Sequence, residues 1–203
     1  MGLIAKNTGG GDYKPPPEGT HTAICVKIID IGVQYSNFYG KSKHKVIIGW
    51  ELPNTKDDEG EPVIAWKRYT LSLHENAALR GHLEAWRGKS FTNQELEGFH
   101  LKNILGKPCL VSIVHDGDNG GRVYGNIKTI MGLPSGTPVP QPFHKLITFD
   151  IDEFDQTVFE TFSESLQKTI RDSEEMRNRD RVQSRQACEV DENAPVSESD
   201  TPF

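Results

Sequence analysis

Apolar and polar positions alternate with a period of two along much of the first 130 residues. The alternation over Thr20–Ile31, Lys43–Leu52 and Val63–Leu73 predicts three β-strands. Two further apolar runs, Lys107–His115 and Arg122–Met131, flank a polar, Gly-rich connection and predict a β-hairpin. This part of the chain is therefore expected to be mainly β.

The spacing of apolar residues becomes helical between the third and fourth predicted strands. Three residues mark the buried side of this helix: Leu79, Leu83 and Trp86. Ser72–Glu75 has the pattern of a capping box before the helix, and Gly88 is expected to end it. Thr92–Glu95 offers a second capping box, and Leu101–Leu105 predicts one more helical turn.

Three strands, a helix and then a hairpin is the order of elements in an OB-type barrel. The predicted fold class is mainly β, a five-stranded OB-type barrel with a helix between strands 3 and 4, followed by a C-terminal helical segment and a disordered acidic tail. Four parts are predicted: a flexible N-terminal arm (1–19), the barrel (20–133), a Pro-rich connection with an accessory helical segment (134–186) and the tail (187–203).

The accessory segment is predicted to be helical because four apolar residues recur at helical spacing. They are Phe159, Phe162, Leu166 and Ile170. Residues 171–186 are charged throughout and are expected to fray into the tail.

The net charge of −6 is unevenly distributed along the chain. Residues 187–203 carry five Asp and Glu and no Lys or Arg, whereas residues 13–133 carry fifteen basic and thirteen acidic side chains. The predicted barrel is thus mildly basic, which is compatible with binding to a polyanion.

Few residues point to catalysis or to a bound metal. The three cysteines lack the paired spacing of a metal or redox site, and Cys25 and Cys109 fall in apolar strands where a small buried side chain is expected. The seven histidines show no metal-ligand spacing, and the acidic run at 150–153 is more typical of a capped turn than of a nuclease centre. We therefore expect no enzyme activity, no metal and no cofactor.

Aromatic and basic residues are interleaved in the manner of surfaces that bind single-stranded nucleic acid, where rings stack on bases and Lys or Arg follow the phosphates. The connection between the first two strands, interpreted as a loop, supplies six candidates: Tyr35, Phe38, Tyr39, Lys41, Lys43 and Lys45. Strands three and five add five more: Trp66, Arg68, Arg122, Tyr124 and Lys128. On strand five, Val123, Ile127 and Met131 take the opposite face. Trp50 and Trp86 are assigned to the core.

The C-terminal residues have the chemistry of a docking peptide. Asp200, Pro202 and Phe203 are the predicted docking residues, since a free carboxylate on a terminal Phe fits an apolar pocket rimmed by Arg or Lys. This ending resembles the tip of bacterial single-stranded DNA-binding proteins, which finish in Asp residues followed by Pro-Phe. The resemblance implies that the tip recruits replication or repair proteins.

A second resemblance spans roughly residues 12–180. Four segments carry it: Pro17–Ala23, Ile28–Gln34, Lys45–Pro53 and Tyr69–Leu73. Together they look like a family of phage-encoded single-stranded DNA-binding or replication-associated proteins. The resemblance implies an OB-type fold and sequence-nonspecific binding of single-stranded DNA in replication or recombination.

The sequence also leaves two alternative functions open and predicts a cellular location. A protein-binding adaptor on the same small β fold is the main alternative, and a nuclease or strand-annealing recombinase is a third. No apolar run has the length of a signal peptide or membrane span, so we expect no membrane partner and a cytoplasmic location, the host cytoplasm if a phage encodes the chain. Assembly into a homo-oligomer is compatible with the accessory helices.

Deletion of residues 198–203 tests the docking prediction. The acidic tip should be repelled by phosphates, so its loss should leave the affinity for DNA unchanged or higher while pull-down of replication and repair proteins is abolished. Unchanged pull-down by the truncated chain would contradict the docking role.

Overall fold

The computed structural model of the chain describes residues 14–36, 40–117 and 123–182. It is mainly β, with six strands in an antiparallel sheet and a few short helices. The strands are β1 (Gly19–Ser36), β2 (Lys41–Lys56), β3 (Pro62–Thr70), β4 (Pro108–Gly117), β5 (Val123–Met131) and β6 (Ile147–Phe149). The helices are α1 (Ala78–Arg87), α2 (Asn93–Glu97), a 3₁₀ turn (Leu101–Ile104), α3 (Gln156–Glu160) and α4 (Glu164–Arg171). Residues 174–182 are also helical.

The strands pair in the order β3-β2-β1-β4-β5, and β6 also pairs with β1. Ala23 of β1 faces Cys109 of β4, and Tyr124 of β5 faces Asp116 of β4. Helix α1 lies between β3 and β4 in the chain, as predicted. The pairing leaves the sheet open between β3 and β5, so the closed barrel stays a prediction.

Contacts divide the described residues into two compact units. The first contains residues 14–28 and 47–148, and the second contains residues 29–46 and 149–182, apart from the gaps given above. The boundary between the units falls inside the predicted barrel range of 20–133. Residues 29–36 of β1 and 41–46 of β2 group with the accessory segment in the second unit.

The core of the first unit forms where one face of β2 meets β3 and α1. Ile48, Trp50 and Leu52 are buried, as the alternation predicts. The Trp50 ring lies 6.3 Å from that of Tyr69 and 6.4 Å from that of Trp86, measured between centroids. Helix α1 buries all three of its predicted residues: Leu79, Leu83 and Trp86. The assignment of Trp50 and Trp86 to the core is confirmed.

β3 and β5 do not pair through their backbones, but side-chain hydrogen bonds connect them, partly through α1. The Tyr69 hydroxyl lies 2.7 Å from His82 Nδ1, and His82 Nε2 lies 3.0 Å from the Lys128 carbonyl oxygen. Since that carbonyl can only accept, Nε2 donates and Nδ1 accepts from Tyr69. Burial lowers the pKa of His82, which favours this neutral ring. The Lys67 ammonium also donates to the Ile127 carbonyl.

One of the two predicted capping boxes is confirmed. Thr92 and Glu95 form a reciprocal box at the start of α2. The box predicted over Ser72–Glu75 is wrong, since α1 begins only at Ala78, whose N-cap Ala77 has no side-chain cap. The Ser72 hydroxyl instead accepts from the His74 N–H, closing a turn before the helix.

The described part of the predicted N-terminal arm makes several polar contacts. The Lys14 ammonium lies 2.6 Å from Asp58. His115 Nε2 donates to the Pro16 carbonyl over 2.7 Å, and the Glu18 carboxylate accepts from the His115 backbone N–H over 2.7 Å. Pro16 and Glu18 therefore contact the end of β4, and Lys14 contacts the turn between β2 and β3.

Strands β1 and β2 extend further than predicted, so the interpretation of residues 34–45 as a loop is wrong for residues 34–36 and 41–45. β1 continues through Gly32 to Ser36, and β2 begins at Lys41. Gly32 keeps the strand continuous at φ 68°, a left-handed conformation that only glycine adopts without strain. A Cβ there would lie 2.5 Å from Glu175 Oε2 and 2.8 Å from Ile151 Cδ1.

Aromatic packing stabilises the second unit. The Phe149 ring lies 5.3 Å from those of Phe154 and Phe162, and Phe154 lies 5.0 Å from Phe159. Phe159, Phe162 and Ile170 are buried, and helices α3 and α4 lie within the segment that was predicted to be helical. The predicted fraying from residue 171 is wrong as far as 182, because residues 174–182 are helical and Arg179 donates to the Ile151 carbonyl over 2.9 Å.

Gly32→Ala and Gly81→Ala form a matched pair for testing the strand continuation. Gly32→Ala should lower the free energy of unfolding by about 2–4 kcal/mol, because it combines left-handed strain with a steric clash. Gly81 lies in α1 with open space around its Cβ position, so its replacement should raise that free energy by about 0.5–1 kcal/mol. Urea unfolding measures both, and equal stability of the two variants would contradict the predicted role of Gly32.

Candidate nucleic-acid interface

An exposed indole lies on the outward face of β3. Trp66 is 41% exposed, whereas its neighbour Ala65 is buried, as the predicted alternation requires. The ring rests against β2 at Gly49, where a Cβ would lie 2.8 Å from Cζ3 and 3.0 Å from Cε3 of the indole. A glycine in the middle of a strand weakens it by roughly 0.5–1 kcal/mol relative to alanine, and here it makes room for the ring.

Cationic side chains lie beside this indole. The Lys27 ammonium on β1 is 5.7 Å from the Trp66 ring centroid, within the range of a cation–π contact. Lys27 is half-buried, and this burial lowers its pKa. Arg68 is exposed on the same side of β3 as Trp66. We call Lys27, Gly49, Trp66 and Arg68 the Trp66 platform.

The next outward position on β2 holds a buried carboxylate. Glu51 has no exposed surface and accepts from the Phe143 N–H over 2.9 Å and from the His144 N–H over 2.8 Å. His144 Nδ1 lies a further 2.8 Å from the carboxylate. Burial alone would raise the pKa of Glu51, but these hydrogen bonds outweigh it and hold the pKa below its ordinary value. Glu51 therefore fastens the Pro-rich segment 134–146, which we call the strap, to β2.

The outward face of the β4–β5 hairpin carries two more predicted residues. Tyr124 is 41% exposed. The Lys128 ammonium is 3.0 Å from Asp116, which also accepts from Asn126 over 2.9 Å. The Lys128 hydrogen bond lowers the pKa of Asp116, so this lysine already has an anionic partner.

The prediction that Val123, Ile127 and Met131 form the face of β5 opposite Tyr124 and Lys128 is only partly correct. Ile127 is buried, but Val123 and Met131 are exposed and Ile130 takes the core position. The register of β4 and β5 shifts between Ser112 and Ile113, and such a shift changes which residues point inward.

In the second unit, the ends of β1 and β2 form a basic and aromatic ribbon. Tyr35 is 62% exposed, Lys41 and Lys43 are exposed, and Lys45 is half-buried. Acidic side chains lie close by: Glu174 accepts from the Ser42 hydroxyl, and Glu175 accepts from the Val33 N–H over 2.9 Å. A cleft of about 360 Å³ borders the ribbon and is lined by Val33, Gln34, Tyr35, Asp172, Glu174 and Arg177.

The predicted DNA-binding residues thus fall into two groups. Trp66, Arg68, Tyr124 and Lys128 belong to the first unit, and Tyr35, Lys41, Lys43 and Lys45 belong to the second. Six predicted residues lie outside the described ranges: Phe38, Tyr39, Arg122, Asp200, Pro202 and Phe203.

Sequence reasoning missed several residues around the Trp66 platform. Lys27 interrupts an apolar strand, and Gly49 stands between Ile48 and Trp50, which is a known sign of close backbone approach. Phe143 and Glu51 are about ninety residues apart, so their contact depends on tertiary structure and has no local signal.

The other chemical groups considered in the sequence are the metal-ligand residue types, the acidic run at 150–153 and the cysteines. Within the ranges 14–36, 40–117 and 123–182, no group of His, Cys, Asp or Glu could hold a metal ion. Asp150 accepts from the Asp152 N–H over 3.0 Å, which is the capped turn expected for that acidic run. Cys25 and Cys109 are fully buried, as predicted, and burial raises the pKa of both thiols. In the same part of the chain, no helix is long and apolar enough to cross a membrane.

Comparison with known proteins identifies no family: no protein-family model matches the chain, and no curated protein matches it.

The strap contact should make stability depend on pH. Glu51 has a lowered pKa in the folded state, so its contribution is complete above the ordinary glutamate pKa of 4.5 and is lost as the pH falls through the folded-state value. The unfolding free energy of wild type should therefore approach that of Glu51→Gln as the pH falls from about 6 to about 3.

The control for this prediction is Glu61→Gln. His144 is the titratable group that contacts Glu51, and its Nε2 lies 4.0 Å from the Glu61 carboxylate. Because Glu61 is largely exposed, its replacement should leave the wild-type pH profile nearly unchanged. Parallel profiles for wild type and Glu51→Gln would contradict the fastening role of Glu51.

Proposed function

We propose that this chain binds single-stranded DNA without sequence preference, through the Trp66 platform of an OB-type barrel. The observation that carries the proposal is the indole of Trp66, fixed on Gly49, open to solvent and flanked by Lys27 and Arg68. A fixed ring with adjacent cations is the combination that holds an unpaired base and its phosphates.

The order of strands supports an OB-type barrel. The sequence β3-β2-β1-β4-β5 would become a closed barrel if β5 met β3, and the helix between β3 and β4 is in its expected place. The links from Lys67 to Ile127 and from Tyr69 through His82 to Lys128 join those strands by side chains. In such folds the face of strands 2 and 3 is a common site for oligonucleotides, and Trp66 and Gly49 lie on that face.

The chemistry of the platform favours single strands over duplexes. A base in duplex DNA already has stacked neighbours and cannot reach the indole, whereas an unpaired base can. Stacking accepts any base because every base has a π-face, so the proposed binding is sequence-nonspecific. Salt should weaken it, since Lys27 and Arg68 would displace counterions from phosphates.

The biological role we propose is replication or recombination of phage DNA. In this role the barrel coats single strands, and the acidic tip with Asp200, Pro202 and Phe203 recruits partner enzymes. The two sequence resemblances support this role. The ribbon with Tyr35, Lys41 and Lys43 is proposed as a separate DNA-binding surface of the second unit.

A protein-binding adaptor remains the second candidate because β4 and β5 expose apolar side chains. These are Val114, Val123, Tyr124 and Met131. An apolar peptide could cover them, and its binding should respond little to salt, in contrast to binding of DNA.

Fluorescence anisotropy with oligo-dT and with a duplex of the same length tests the proposal. Wild type should bind the single strand selectively and more weakly as salt rises. Trp66→Ala should lose roughly 1–3 kcal/mol of binding free energy, about 5- to 150-fold in affinity, and Trp66→Phe should retain part of it. Leu71→Ala removes a comparably exposed apolar side chain just after β3 and should bind as wild type does.

Either of two results would overturn the proposal. Wild type could fail to bind oligo-dT at low salt, and the protein-binding adaptor would then be the remaining candidate function. Alternatively, Trp66→Ala could bind as tightly as Leu71→Ala, which would place any binding elsewhere on the protein.

A further inference from the structure

We infer that Phe143 is a second base-stacking position, held beside the Trp66 platform by Glu51 and accompanied by Lys56. This inference rests on the proposed function and assigns a second contact for the same ligand. Phe143 lies in the strap, a segment that sequence reasoning interpreted only as a Pro-rich connection.

The Phe143 ring is open to solvent, yet its backbone is held in place. The side chain is 63% exposed, the most of any large apolar side chain in the described residues. Its N–H donates to both Glu51 oxygens, over 2.9 and 3.1 Å. The next residue, His144, makes two more hydrogen bonds to Glu51, and its ring meets Phe143 edge to face at 5.3 Å.

The burial of Glu51 is costly unless its hydrogen bonds are satisfied. The Phe143 N–H, the His144 N–H and the His144 ring together supply those bonds. A strap that needed only to be anchored would gain more stability by turning the Phe143 ring into the protein. The chain instead fixes the backbone and leaves the ring in water, which is the arrangement expected of a contact surface.

The attachment points of the two rings lie on the same side of one strand. Trp66 rests on Gly49 and Phe143 is bound at Glu51, two residues further along β2, which places these positions about 6.8 Å apart on one face. The two attachment points are therefore neighbours on one face of β2, and one single strand could reach both rings.

Each ring also has a lysine at the same distance. The Lys56 ammonium lies 5.7 Å from the Phe143 centroid, as the Lys27 ammonium lies from Trp66. Two aromatic rings, each with a lysine beside it, offer the stacking and phosphate contacts by which proteins hold a single strand. This combination favours a nucleic acid over an apolar peptide as the occupant.

The turn between β2 and β3 limits how far the strand can extend. It carries four acidic residues: Asp57, Asp58, Glu59 and Glu61. Asp58 is paired with Lys14, and Asp57 accepts from the backbone N–H groups of Glu59 and Glu61. The carboxylates of this turn repel phosphates, so the bound strand should run from Trp66 to Phe143 and end there.

The experiment compares five proteins by anisotropy with oligo-dT: wild type, Phe143→Ala, Phe143→Trp, Lys56→Ala and Val139→Ala. Phe143→Ala should lose at least about fivefold in affinity, and Phe143→Trp should restore it. Lys56→Ala should make log affinity fall less steeply with log salt. The difference in slope should be about that of one phosphate contact. Val139→Ala alters another exposed apolar residue of the strap and should bind as wild type does.

The outcomes separate this inference from the proposed function. If wild type binds and Trp66→Ala weakens it, but Phe143→Ala matches Val139→Ala, the second position is wrong and the Trp66 platform stands. If wild type does not bind oligo-dT, the proposed function itself fails. Because the Phe143 ring is exposed, Phe143→Ala should give the same circular dichroism spectrum as wild type. If its spectrum differs, the affinity of Phe143→Trp tests the same contact.

Discussion

The burial of β1 is the constraint on which the other strands depend. Four consecutive side chains, Ala23 to Val26, have almost no exposed surface, so both faces of the strand are covered there. β1 also pairs with three strands, β2, β4 and β6. A strand that is apolar on both sides is stable only when every neighbour is in place, and this requirement fixes β2, where Gly49 and Glu51 position the candidate site.

On β2, the inward positions stabilise the fold and the outward positions organise the site. Ile48, Trp50 and Leu52 pack into the core, whereas Gly49 receives the Trp66 indole and Glu51 fastens the strap. Both outward residues are unfavourable for stability by themselves: a glycine weakens a strand, and a carboxylate buried away from solvent is costly. Such departures from local preference are common where a structure is shaped for binding, and here both serve to hold an aromatic side chain at the surface.

Much of the fold follows from local patterns, and several features of the site do not. The alternation in β2 and β3 correctly predicts the core positions of Trp50, Ala65 and Tyr69 and the outward position of Trp66. β1 runs further than predicted because Gly32, which is normally a break, takes a left-handed conformation within the strand, where side chains from residues 151–175 leave no room for a Cβ. The partner of Lys128 depends on the register of the β4–β5 hairpin, and the contact of Glu51 with Phe143 depends on the return path of the strap. Neither leaves a periodic signal in the sequence.

Intrinsic tryptophan fluorescence, followed while oligo-dT is added, tests the central claim most directly. Trp50 and Trp86 are buried in the core, so a base that stacks on the protein can quench only Trp66. The account predicts that wild-type emission falls in parallel with the anisotropy of a labelled oligo-dT, and that Trp66→Phe shows no such fall at saturating oligonucleotide. Equal quenching of the two proteins, or saturation of wild type with no change in emission, would contradict base stacking at Trp66.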